Sequence, residues 1–158
     1  MSNPLLSKLE ISVRKASASP PKLAISVTNT HDQSLTVLKW DSPLDPLVIQ
    51  LGHLKITPVG ADGPLDIPII QVRRIMPAGK DQLVTIEPGE TKEHEIELKE
   101  TIVPLDKLAG GARIVCEGEW TSVWQSKLEE VDKEALENLG MGNALRGSYE
   151  SKPVTVEF

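Results

Sequence analysis

Three histidines, one cysteine and 23 acidic side chains are the groups of this 158-residue chain with the means to hold a metal ion or act on a bond. A zinc site draws its ligands from close spacings, either on one face of a helix or across a tight knuckle. His31, His53 and His94 stand far apart, and each reads as an isolated surface histidine. The run His94-Glu95-Ile96-Glu97-Leu98 opens like the zinc-protease motif H-E-x-x-H, but Leu98 stands where the second histidine is required. Its alternation also marks a strand, on which positions i and i+4 lie about 13 Å apart, too far to share one ion. No metal and no cofactor is expected.

Nucleophiles are equally sparse. Cys116 sits in R-I-V-C-E-G-E-W, where Glu117 and Glu119 would raise a thiol pKa, so a buried structural thiol is expected. There is no G-x-S-x-G elbow and no glycine-rich phosphate loop. The carboxylate pairs Asp41/Asp45 and Glu117/Glu119 are what chance supplies among so many acids, and nothing marks either as a general acid and base. The chain is therefore expected not to be an enzyme. Its candidate binding residues are Trp40, Asp45, Arg73, Arg74, Trp120 and Trp124. Tryptophan and arginine are enriched at protein contacts. An exposed Trp124 could anchor such a contact, while packing in the core is the competing role for every tryptophan.

The elements that must carry these residues are mostly strands. Leu9, Ile11 and Val13 alternate with Glu10, Ser12 and Arg14; Leu23, Ile25 and Val27 repeat the pattern, as do Ile96 with Leu98 and Val154 with Val156 and Phe158. Period-two alternation with one apolar face marks half-buried antiparallel strands. The expected inner face comprises Leu9, Ile11, Ile25, Val27, Val37, Ile96, Leu98, Val154 and Val156. Turn-forming runs separate the strands: S-P-P at 19–21, T-H-D-Q-S at 30–34, G-A-D-G-P at 60–64, M-P-A-G-K-D at 76–81, P-G-E at 88–90 and A-G-G-A at 109–112. From Lys127 to Leu139 the apolar residues recur at helical spacing, Ser126 with Glu129 suggests a capping box, and Gly140 a stop. This predicts a short helical insertion over about 125–146, and Pro104 to Leu108 a single helical turn. The expected fold is all-β: one immunoglobulin-like antiparallel sandwich over residues 1–158, with that insertion near its C-terminus.

The net charge of −6 argues against nucleic acid and anionic membranes as partners. No stretch approaches the roughly 20 apolar residues of a membrane span. The opening M-S-N-P-L-L-S-K-L-E-I-S-V has no signal-peptide pattern, and a lone cysteine suits a reducing compartment, so a cytoplasmic protein is expected.

Residues 25–47, I-S-V-T-N-T-H-D-Q-S-L-T-V-L-K-W-D-S-P-L-D-P-L, resemble the N-terminal pro-region of deuterolysin-type zinc endopeptidases of fungi and bacteria. There a strand ending in T-N or N-P meets a polar turn and a strand reading like V-L-K-W-x-T-P-L-D. Residues 72–98 continue the likeness, with an arginine-bearing strand, a loop and Glu87-Pro88-Gly89-Glu90 in place of A-P-G-E; G-S-Y-E-S-K-P-V-T-V-E-F is similar to the closing strand. The likeness covers most of the chain except 125–146. The protease domain that follows in that family, with H-E-x-x-H and a distal aspartate, has no counterpart. The resemblance implies a non-catalytic protein-interaction module, a protease inhibitor or a folding chaperone, whose partner is a protein such as a protease. The alternative is a small-molecule-binding sandwich with a pocket between the insertion and the sheet near Trp120 and Trp124. Pairing of two copies through an edge strand is a further expectation.

Overall fold

The computed structural model describes residues 4–72, Arg74, 79–131 and 144–158. Nine strands form two antiparallel sheets: β1 (Leu9–Ala18), β2 (Pro21–Asn29), β3 (Leu35–Leu38), β4 (Leu54–Pro58), β5 (Leu83–Ile86), β6 (Thr91–Glu97), β7 (Ala112–Trp124), β8 (Leu145–Glu150) and β9 (Val154–Val156). The smaller sheet has the order β1-β2-β6 and the larger one β4-β7-β3-β5, with β8 and β9 also on β7.

The alternation sets the register of the smaller sheet. Ile11 faces Val27 and Val13 faces Ile25 across β1–β2, and Leu23 faces Ile96 across β2–β6. A one-residue slip would turn that apolar set to solvent, so burial holds the register. Of the expected inner-face residues, Leu9, Ile25, Val27, Val37, Ile96, Leu98 and Val156 are buried, while Ile11 and Val154 are half-buried against the same core. That core joins the sheets: Leu23, Ile25 and Val27 of one meet Ile56, Ile114 and Trp120 of the other.

The larger sheet is built around β7. Its first half pairs with β4 and β9, and its second half with β3 and β8. β3 and β4 thus lie along one edge of β7, interrupted by the 39–53 loop, while β8 and β9 lie along the other. Both interruptions fall at the same level: Leu54 pairs with Cys116, Glu117 pairs with Glu150, and the Ser151 hydroxyl accepts a hydrogen bond from Cys116 N at 2.8 Å. Outside β4, residues 65–70 lie outside any regular element and are tied by Leu65 N to Ile56 O (2.7 Å) and Ile70 N to Gln50 O (2.9 Å). Pro68 withholds a donor there, and Pro64 another just before it, which keeps the segment from growing into a full ladder.

The helical reading of 125–146 meets a different geometry where the chain is described. β7 ends at Trp124, and Leu128–Glu130 form a single 3-10 turn. The capping contact runs from Lys127 N to Glu130 Oε1 at 3.0 Å, one residue on from the expected Ser126 and Glu129, and the Ser126 carbonyl accepts from the Thr36 hydroxyl at 2.6 Å. Residues 132–143, which carry most of the expected helix, lie outside the described residues. The turn expected after Pro104 is present as a 3-10 helix, Leu105–Leu108.

Candidate functional site

The 39–53 loop, carried between two strands that both lean on β7, holds most of the polar groups that the core does not explain. It opens with Trp40, whose ring is 8% exposed and whose Nε1 donates to Gln82 Oε1 at 3.2 Å. Asp41 follows with φ 62°, a left-handed conformation that aspartate tolerates better than most residues. That bend aims three of its groups. Its N–H donates to Asp45 Oδ2 (2.8 Å), its carbonyl accepts from the Tyr149 hydroxyl (2.6 Å), and its Oδ1 faces His53 Nε2 (2.9 Å).

Asp45 is the most buried charge of the loop, at 1% exposure. A carboxylate taken from water needs hydrogen bonds on both oxygens. Oδ1 accepts from Leu47 N at 2.9 Å, an Asx-turn contact two residues on. Oδ2 accepts from Asp41 N and from Arg74 Nη2, the latter at 2.7 Å. The Arg74 guanidinium also lies 5.5 Å from the Trp40 ring centroid, over its face. Arg74 Nε is buried without a hydrogen-bond partner. Trp40 and Asp45, five residues apart in the loop, are therefore joined by Arg74 from 29 residues further along the chain.

The other expected site residues go elsewhere. Trp120 is 1% exposed and packs against Tyr149 in the core, ring centroids 5.0 Å apart and tilted by 53°. Trp124, at 4% exposure, packs with Leu38, Trp40, Leu83 and Val131, so it is no exposed anchor; its indole closes the end of the sheet. Arg73 lies outside the described residues. Three open grooves of about 960, 610 and 430 Å³ lie respectively between β1 and β8–β9, beside His53 and Glu117, and beside His94 and Lys99; neither tryptophan lines them.

The histidines are not the isolated surface groups expected. His31 lies 3.3 Å from Asp32 Oδ1 and His53 bonds Asp41. His94 shares its face of β6 with Ile96, and its Nε2 lies 2.8 Å from the Pro43 carbonyl, tying the smaller sheet to the loop. A carbonyl only accepts, so Nε2 carries the proton. Burial lowers the His94 pKa, against the Pro43 carbonyl and Asp45, which raise it; Lys39 lowers it further. Cys116 is buried, and burial followed by the Glu117 charge pushes its thiol up to about 12. Among the described residues no three His, Cys, Asp or Glu side chains gather as a metal site would need.

Sequence reading missed Asp41, His53, Tyr149 and His94. His94 had a usable signal, since it keeps the parity of Ile96 and Leu98 and so had to face inward. Asp41 had one too: in W-D-S-P-L-D-P, short polar residues beside prolines build turns, and only Asp45 of the pair is among the expected binding residues.

Residues 8–158 match the model of an immunoglobulin-like domain. The chain belongs to that family. This immunoglobulin-like domain also has a relative in Arthroderma benhamiae, named an uncharacterized secreted protein, which is 35% identical over 140 residues, 87% of this chain and 69% of the relative. That relative overturns the cytoplasmic expectation. The inference had rested on the first residues and on one cysteine, and a single buried thiol suits an oxidising compartment as well as a reducing one.

Proposed function

We propose that this immunoglobulin-like domain is a secreted, non-catalytic protein-binding module of the deuterolysin pro-region type, which restrains or helps to fold a protease. The observation that carries the reading is an apolar run on an irregular surface segment: Ile69, Ile70 and Val72 are 66%, 42% and 36% exposed, two residues short of the Arg74 anchor. Neighbouring exposed aliphatic side chains on one segment mark a contact surface rather than scattered surface residues. The resemblance lends support, because V-L-K-W-D-S-P-L-D, which carries it, is the run that builds the Trp40–Asp45 site. Secretion is supported by the name of the Arthroderma relative.

The test is direct binding. The purified chain is titrated against a deuterolysin-type zinc endopeptidase freed of its own pro-region, with proteolysis of a peptide substrate as readout. Saturable inhibition or complex formation is expected, weakened in Ile69→Ser/Ile70→Ser at an unchanged melting temperature. Neither inhibition nor a complex at micromolar concentrations would sink the proposal.

A further inference from the structure

We infer that Asp45 and Trp40 form a socket for a guanidinium group, filled in the free protein by Arg74, and that an arginine side chain of a protein partner takes the place of Arg74 there. The inference rests on the protein-binding reading above and names the chemistry of the contact.

The socket is built without Arg74. Asp45 is oriented by the N–H groups of Asp41 and Leu47, and the Trp40 ring by Gln82. Removing Arg74 leaves all three bonds in place, so carboxylate and ring face stay where they are. The occupant, in contrast, is loosely matched. Of its five donors Arg74 brings one Nη2 to one carboxylate oxygen, while its Nε is buried unpaired. A guanidinium free to choose its angle can use two donors against a carboxylate, the stronger arrangement. Arg74 is also 24% exposed at its side chain, so its site opens to solvent.

The segment that delivers Arg74 is cheap to move. Between Leu65 and Val72 its main chain is tied by Leu65 N and Ile70 N, and Pro68 offers no donor. Leu65 and Ile67 pack against the core, whereas Ile69, Ile70 and Val72 are 66%, 42% and 36% exposed, so residues 69–72 can shift while Leu65 and Ile67 stay seated. That shift frees a site that combines a buried carboxylate with an aromatic face, the surroundings that favour guanidinium over the more strongly hydrated ammonium. Arg74 acts as an internal competitor. A side group tethered on a short segment has an effective concentration on the order of millimolar, so an outside arginine must outbid it or arrive with other contacts, which the neighbouring isoleucines supply.

The experiment uses the full chain as wild type, Arg74→Ala and Arg74→Ala/Asp45→Asn. Methylguanidinium is titrated at constant ionic strength, with methylammonium as control, while melting temperature and tryptophan fluorescence are followed. Arg74→Ala is expected to take methylguanidinium saturably, roughly tenfold more tightly than wild type, with a rise in melting temperature that methylammonium does not produce. The double variant should lose the response. A blocked arginine peptide should bind Arg74→Ala, and its citrulline twin should not. If Arg74→Ala does not fold, Arg74→Gln takes its place in the same titration. A folded variant with no saturable uptake, or equal uptake after Asp45→Asn, overturns the socket. Protease binding by wild type without guanidinium uptake by the variant refutes the socket alone; guanidinium and arginine-peptide uptake without protease binding refutes the protease reading and leaves the socket standing.

Discussion

Asp45 has no solvent to fall back on, so its energy depends on three donors, two backbone amides and the Arg74 cation. Asp45→Ala strands Arg74 and two backbone N–H groups together, and should cost about 3 kcal/mol in urea unfolding, within the range for breaking a buried ion pair. Replacing Arg74 with Met should cost less, because the carboxylate keeps its two amides. His94 gives a second residue-scale expectation. Its folded pKa is lowered, mainly by burial, so the unfolded chain binds the proton first as pH falls. The stability contribution is therefore complete above the unfolded value of about 6.5 and is lost as pH drops through it toward the folded pKa. The urea midpoint should fall between pH 8 and pH 5, and His94→Gln, which retains a donor for Pro43, should flatten that fall; an unchanged slope would refute the assignment. Trp40, Asp45 and Arg74 were legible as residue types. Their meeting was not, because an Asx turn and a left-handed aspartate fold the loop, and neither leaves a periodic trace.

At the scale of elements, alternation announced the strands because each has one wet face. It tells less where both faces are covered. In β2, Ala24 and Ser26 are buried as well as Leu23, Ile25 and Val27. The pairing of β7 and β8 shows a relation that periodicity misses: Gly118 faces Tyr149 and Gly147 faces Trp120, a glycine opposite each large ring. A Cβ at Gly118 would stand 2.7 Å from the Tyr149 hydroxyl and 2.8 Å from His53 Nδ1. Neither group can retreat without releasing Asp41, to which both are bonded. Gly118→Ala should therefore cost about 1–3 kcal/mol and reorder the loop, seen as changed tryptophan fluorescence, whereas Gly60→Ala, with open space around its Cβ, should disturb only its own turn. Apolar residues at helical spacing from Lys127 suggested a helix, yet the described start of that segment is a 3-10 turn, because the last residues of β7 are still held to β3.

For the whole molecule, burial between two sheets is the main support. Ile25 is fully buried at the centre of the smaller sheet, so Ile25→Ala should cost about 2–5 kcal/mol in urea unfolding. Chelation by EDTA should leave the melting temperature unchanged; a drop restored by zinc would refute the metal-free reading. The two-sheet architecture was legible because it follows from composition and period, whereas the compartment was not, since no packing force depends on it. The central position of β7 also bears on how the chain is born. β3 and β4 leave a ribosome long before β7 exists, and β8 and β9 follow it, so the spine arrives between its two sets of neighbours. Until β7 has emerged, Leu54 and Ile56 of β4 have no strand to lie against and β3 has only β5, so the nascent chain is an open target for holding chaperones. The β1–β2 hairpin, whose partners are adjacent in sequence, escapes that wait. Nascent chains stalled before Ala112 should protect at most the β1-β2-β6 sheet from protease and leave β4 open to cleavage, and full resistance should appear after β7 and its later neighbours are out.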